Sequence, residues 1–394
     1  MIKRSCIFFL LFSMLVLLSG CTGGMEIESG LFVLSMAVDP APEGNLTVTI
    51  KALSGTQETH VQHGADPSEE ARQASEPSAL ESSEPGYIVM SATAPSCLRA
   101  LDLLSATTPR TLNLSQLKEV VISETLARTH AALSVLKEIH SLYRAAGEAV
   151  VVVTPDNAGD FIRRQHAMLG IRLSKYLQVL FEHFSDIDTI PPNAKLSDVI
   201  SAMESGTRDA AAVYAAGNSF DSTLVLPGTP QTDRLPGHLP RTAPAQNEYL
   251  GSAVFSGPQM SGTLTGDETG LLCLIMGKAK TRTFTLNGAQ YKTNVATKTT
   301  QRIDKSTGAL CVHIQMNLTR IAGTGSETGA DIARQIETDA AALISRLQQM
   351  NSDAAGFGRI AVREYTTINA WETSDWPLLY AGAPVRVTAE VYLK

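Results

Sequence analysis

The chain is poor in the residues that build metal, redox and nucleic-acid sites. Its 394 residues hold five cysteines, none in a Cys-x-x-Cys pair, which leaves no zinc or dithiol pattern and no dense disulfide framework. Basic residues are outnumbered, giving a net charge of −7 without a Lys/Arg stripe. That balance excludes the usual electrostatic footprint of nucleic-acid binding and of docking on anionic headgroups. Beyond the first twenty residues, no run approaches the length of a membrane span. Tryptophan occurs only twice. No cofactor is expected.

The amino-terminal segment is distinctive. Lys3 and Arg4 precede an apolar run from Ile7 to Leu18, broken only by Ser13, and Leu18-Ser19-Gly20-Cys21 closes it. A positive start, a short apolar run and small residues make a secretory signal over 1–20, too short to span a bilayer. Its ending resembles the bacterial lipobox, in which the cysteine is lipidated and the chain cut before it. Cys21 is therefore expected to be an S-diacylglyceryl, N-acylated cysteine anchoring an extracytoplasmic protein. Each buried methylene contributes about 0.8 kcal/mol, so two or three acyl chains release slowly where one would not. Thr22 to Glu26 is a thin polar tether that keeps the folded part close to the bilayer. Of the other cysteines, Cys6 leaves with the signal. Cys97, Cys273 and Cys311 allow at most one pair, and the apolar settings of Cys273 and Cys311 suit buried free thiols.

Further along, strand and helix patterns mix. Leu31 to Val38 is a mostly apolar run, and Leu46 to Ile50 alternates as a strand does. Residues 54–86, dense in Ser, Glu, Gly, Pro and His, read as an exposed loop. Order resumes at Tyr87, followed by a helix placing Leu98, Leu101 and Leu104 on one face, a strand from Leu117 to Ile122, a helix through Leu133, Leu136, Ile139 and Leu142, and a strand from Ala149 to Val153. A helix from about Ile171 to Phe184 closes the block. Residues 218–248 read as a long Pro/Gly-rich loop. Short strands at Ser252 to Phe255 and Gly262 to Leu264 then lead to an apolar helix, Glu268 to Met276. The last block offers strands at Thr281 to Leu286, Thr293 to Ile303 and Ala309 to Ile321. An amphipathic helix carries Ile332, Ile336, Ala340, Leu343 and Leu347 inward, and a final strand runs Val385 to Tyr392. This order predicts an α+β protein of three mixed α/β domains, each a sheet flanked by helices: 21–188, 189–277 and 278–394.

Patterns that could carry chemistry lack their partners. Ser115-x-x-Lys118 spells the motif of penicillin-interacting serine enzymes, but it runs into a strand. No Ser-Asp-Asn or Lys-Thr-Gly accompanies it, Lys292-Thr293-Asn294 being the nearest. Gly323-Thr324-Gly325, with Gly329 one residue late for a dinucleotide fingerprint, reads as a turn before a helix with an acidic first turn. Gly277-Lys278 lacks the upstream glycine of a phosphate loop. His60 and His63, with Glu58 nearby, fall in the exposed loop without fixed geometry. Asp267-Glu268 suits helix capping. Trp371 and Trp376 are expected as packing anchors, with a ligand pocket as the alternative.

Several segments occur in an order that resembles the spore germinant-receptor C-subunit lipoproteins, the Ger(x)C or GerAC-like family. They are the lipobox, Gly30 to Leu34 through Ala37-Val38-Asp39, Thr108-Pro109-Arg110-Thr111-Leu112 leading into Leu117 to Ile122, Gly251 to Phe255 with Gly262-x-Leu264 to Glu268-Thr269, and Gly356-Phe357-Gly358 with Trp371, Trp376 and the terminal strand. The resemblance implies a lipid-anchored subunit on the outer face of the spore inner membrane. It would work with a membrane-embedded A subunit and a transporter-like B subunit, without catalysis of its own. The alternative is an extracytoplasmic solute-binding lipoprotein, whose two lobes of repeated parallel βαβ units the C-terminal strand run does not offer.

Overall fold

A computed structural model of the chain describes residues 30–53, 86–142, 146–167, 172–184, 189–218, 235–239, 247–286, 289–304, 306–322 and 328–393. Cys21, His60, His63, Gly323-Thr324-Gly325 and nearly all of the 54–86 loop lie outside them.

The molecule is mixed α/β, with two sheets flanked by helices. The first sheet comprises β1 (Gly30–Pro40), β2 (Leu46–Leu53), β3 (Tyr87–Ala94), β4 (Thr111–Asn113), β5 (Glu119–Ser123), β6 (Val150–Thr154), β7 (Ala211–Gly217), β8 (Asn247–Ser256) and β9 (Gln259–Leu264). Its strand order is β3-β2-β1-β5-β6-β7-β8-β9, with β4 pairing beside β1. The centre, β1-β5-β6-β7, is parallel and both flanks are antiparallel. Parallel strands need crossovers, and helices supply them. On one face lie α1 (Cys97–Ser105), α2 (Glu124–Ala127), α3 (Ala131–Leu142) and α6 (Leu196–Glu204); on the other lie α4 (Ala158–Arg163) and α5 (Leu173–Phe184). Cover on both faces explains why β1, β5 and β6 read as near-continuous apolar runs. Strands β7 to β9, which fall in the middle block of the sequence, continue this same sheet.

The second sheet is β10 (Thr281–Leu286), β11 (Ala289–Ile303), β12 (Leu310–Ala322) and β13 (Val385–Leu393). It is an antiparallel meander to which β13 returns in parallel. The return passes through α8 (Gly329–Gln349) and three short helices, α9 (Gly358–Ala361), α10 (Ile368–Glu372) and α11 (Trp376–Gly382). Helix α8 buries Ile332, Ile336, Ala340, Leu343 and Leu347 against Val312, Ile314, Met316 and Leu318.

Helix α7 (Gly266–Ile275) wedges between the sheets. Residues Leu271 to Ile275 are all buried, in a core shared with Val254 and Leu264 of the first sheet and with the second sheet. A helix apolar all round belongs in such an interior. A capping box of Thr265 and Glu268 starts it, and Glu268 also pairs with Arg346 of α8.

Two local readings change. In α1 the inward face is Cys97, Ala100, Leu101 and Leu104, while Leu98 is half exposed; helical rotation turns Leu98 out once Cys97 packs in. Within the Pro/Gly-rich stretch, residues Gly237 and Leu239 are tied down by N–H bonds to Glu248 Oε2 at 2.6 and 3.3 Å.

Candidate functional site

The sequence candidates separate quickly. Cys21 is not among the described residues. Ser115 sits in a turn, its N–H donating to Asn113 at 2.9 Å. The Lys118 backbone is committed to the sheet through Leu34 and Val150, so no helix start brings the pair together. Glu268 is a cap. Cys97, Cys273 and Cys311 are buried free thiols, and burial, helped by Glu138, pushes the Cys97 thiol up to about 12. Among the described residues, no group of three or more His, Cys, Asp and Glu could hold a metal. No described helix is long and apolar enough to cross a membrane.

Two buried polar centres that the sequence did not single out stand in their place. The first is a row across β2, β1 and β5, where register sets Lys51 beside Ser35 and Ser35 beside Glu119. All three are buried on the face under α4 and α5. The Ser35 hydroxyl donates to Glu119 Oε1 at 2.6 Å, and Gln165 Nε2 donates to the same oxygen at 2.5 Å. Gln165 Nε2 also lies 3.0 Å from the Tyr249 hydroxyl. Lys51 Nζ donates to the Gln165 carbonyl. Burial raises the Glu119 carboxyl, against the pull of Ser35, Gln165 and Lys51. Tyr249 closes the site, its ring packed on Phe161, Phe181 and Phe184.

The second centre joins the two sheets. Asp209, between α6 and β7, accepts the Gly257 N–H of the β8–β9 turn on Oδ1 at 2.7 Å. It accepts the Asp353 N–H on Oδ2, also at 2.7 Å. Asp353 follows α8 and collects four donors. Its Oδ1 accepts Gly356 N and Phe357 N, each at 2.9 Å; its Oδ2 accepts Gly358 N at 2.6 Å and Trp376 Nε1 at 3.1 Å. Burial pushes the Asp353 carboxyl up to about 7, opposed by the Gly358 and Phe357 N–H groups and reinforced by nearby Asp209. Burial raises Asp209 as well.

This centre gives the Gly-Phe-Gly stretch a physical reason. Gly356 has φ +81°, a conformation that favours glycine. A Cβ on Gly358 would stand 2.5 Å from the Thr207 carbonyl oxygen and 2.7 Å from Trp376 Nε1. Around it, Tyr365, Trp371, Trp376 and Tyr380 meet ring to ring in sequence, Tyr365 edge-on to Trp371 and the two tryptophan rings 5.7 Å apart and tilted. The tryptophans do anchor the core, and Trp376 also lines a cavity. Gln348 ties α8 to α11 through the Tyr380 and Ala383 carbonyls at 2.7 and 2.8 Å. Four donors converge on the Asp353 carboxyl and tie it into the joint between the sheets.

Comparison with known proteins points one way. A family model described as "Spore germination protein N-terminal domain" matches residues 23–216. A second, described as "Spore germination B3/ GerAC like, C-terminal", matches residues 250–394. Together they take in most of the chain, in order. No curated protein matches. Among solved structures, one titled "Crystal Structure of the GerBC protein" aligns over 91% of this chain and 96% of its own, at 13% identity and a TM-score of 0.49.

Proposed function

The chain belongs to the GerAC-like family of spore germination proteins, the C-subunit family of germinant receptors, and from that premise we propose that it is the lipid-anchored C subunit of a nutrient-germinant receptor. It is tethered through Cys21 to the outer face of the spore inner membrane and acts there with membrane-embedded A and B subunits. Its part is to scaffold and couple, not to catalyse. The observation that carries this reading is the pair of family matches, N-terminal and C-terminal in the same order along one chain.

The structural chemistry supports a coupling role. Both buried carboxylate centres spend their oxygens on internal donors, and the second binds one sheet to the other. A displacement of the Trp376 helix would therefore be felt at Asp209. A lipid tether raises the local concentration of the folded part near membrane partners, so modest contacts suffice for assembly. The second sheet is an antiparallel meander with a single parallel return, not a run of repeated βαβ units, which argues against a two-lobed solute-binding lipoprotein.

The test is dipicolinic acid release from spores lacking this gene, across a panel of nutrient germinants. Loss for one germinant class, with non-nutrient triggers still working, is expected. Unchanged release for every nutrient would remove the receptor reading. Spores carrying Cys21→Ala should lose membrane retention of the protein, and equal retention would count against the anchor.

A further inference from the structure

Two arginines meet at the joint between the sheets. Arg208 directly precedes Asp209 in the connection between α6 and β7, and Arg359 directly follows Gly358 at the start of α9. Their segments are in contact, since a Cβ on Gly358 would stand 2.5 Å from the Thr207 carbonyl oxygen. Arg359 is exposed, and its stem runs beside Gly356, with Cδ 3.6 Å from where a Cβ of that glycine would be. Arg208 is half-buried, and its Nη2 donates to the Asp198 carbonyl at 3.3 Å. Among the described residues neither guanidinium forms an ion pair. Burial and the charge of Arg359 both push Arg208 below its ordinary value, against the pull of Asp198. One carboxylate thus stands near two guanidinium groups that repel each other, in a chain whose net charge is −7.

We propose that Arg208 and Arg359 together bind an oxyanion of the phosphate type, bridged between their guanidinium groups. Each guanidinium presents its donors in a fixed planar fork that matches phosphate oxygens. The bound charge relieves the repulsion between the arginines and offsets the partial burial of Arg208, contributions that a neutral ligand lacks. It also draws together the same two segments that Asp209 and Asp353 clasp through their backbones and side chains. Binding therefore tightens the joint, and a ligand held by the folded state alone stabilises that state. A free phosphate and a lipid headgroup present this chemistry alike, and the experiment separates them. The site goes beyond the subunit assignment and does not depend on it.

The experiment is thermal unfolding of the full chain at neutral pH, read by tryptophan emission, with ionic strength held by sodium chloride. The probes are inorganic phosphate, glycerol phosphate and glycerophosphoglycerol, the last carrying the phosphodiester of a lipid headgroup. A midpoint that rises and saturates is expected. Saturation by the first two probes alone assigns the site to a soluble phosphate; saturation by glycerophosphoglycerol as well assigns it to a headgroup. Phosphate also stabilises folded proteins through exclusion from their surface, without a site, so the variants decide. Arg359→Gln, at an exposed position, should raise the half-saturating concentration roughly tenfold or more, as loss of a charge-assisted hydrogen bond gives. Arg208→Gln, which keeps a donor for the Asp198 carbonyl, should do the same, and the double variant should lose saturation. Arg334→Gln, exposed on α8, should respond as the native chain does. The proposal is overturned by no saturable rise with any probe, by unchanged half-saturation in Arg359→Gln, or by an equal loss in Arg334→Gln.

Discussion

Asp209 and Asp353 hold each other by two hydrogen bonds across the boundary between the sheets: Asp353 N–H donates to Asp209 Oδ2 at 2.7 Å, and Asp209 N–H donates to the Asp353 carbonyl at 3.1 Å. Removing the Asp209 side chain leaves the Gly257 and Asp353 N–H groups without their acceptor. A buried donor left unsatisfied costs about 1–3 kcal/mol. Asp209→Ala is therefore expected to lose roughly 2–5 kcal/mol of stability, at most about twice the cost of one orphan, since water can reach part of the gap. Urea unfolding followed by tryptophan emission checks this, since both tryptophans sit at the joint. An unchanged midpoint would show that the clasp contributes nothing.

The same joint should make stability depend on pH with an unusual sign for a carboxylate. Burial raises Asp353 from an ordinary value near 4 to about 7. The folded state then binds more protons than the unfolded chain between those values. Its contribution is fully present below about pH 4 and is lost as pH rises through about 7. Asp209, also raised by burial, acts in the same direction. Thermal midpoints taken from pH 4 to pH 8 should fall more steeply for the native chain than for Asp353→Asn, which carries no titrating group there. Parallel curves would remove Asp353 as the source.

Gly358 offers a steric test of the same region. Its missing side chain leaves room for the Thr207 carbonyl and the Trp376 indole at distances no Cβ tolerates. Because one neighbour is backbone, relief requires the segment to shift, and overpacking of this kind costs about 1–3 kcal/mol. Gly358→Ala should unfold at lower urea and shift tryptophan emission to the red. Gly382→Ala, facing open space, is the matched control and should change neither. Equal behaviour of the two variants would refute the close packing at Gly358.

Much of this architecture was legible in periodicity. The strand over Thr281–Leu286 and the long helix with Ile332, Ile336 and Leu343 inward follow from residue spacing alone. The parallel centre of the first sheet was not legible, because β1, β5 and β6 are apolar on both faces and carry no alternation to reveal their pairing. The buried centres were hidden for a different reason. Lys51 and Glu119 are single charges in apolar strands, and only register, set by residues far apart in sequence, brings them to one row. Asp353 left one trace, an acid ahead of Gly-Phe-Gly, where a carboxylate can reach successive backbone N–H groups. The tryptophans were read correctly as anchors, yet the cavity beside Trp376 depends on a β11–β12 turn some seventy residues earlier in the chain.

The Lys51–Ser35–Glu119 row supplies a double-variant test of what buried charge contributes here. Lys51 and Glu119 are both almost wholly removed from water, and the Lys51 charge favours the ionised Glu119 carboxyl against its burial. Removing one member of a buried charge pair typically costs about 3–5 kcal/mol; Lys51 keeps its bond to the Gln165 carbonyl when Glu119 is replaced. Glu119→Leu alone should fall in that range, because Ser35 and Gln165 also lose their acceptor. Lys51→Met alone should be similar. The double variant removes both charges, and replacing a buried pair by apolar side chains of like volume is often close to neutral. It should therefore be clearly more stable than either single variant in urea unfolding, with Ser35 and Gln165 accounting for the remaining deficit. Simple additivity of the two losses would mean that the charges do not sense each other, and that register alone, without electrostatic coupling, places them in one row.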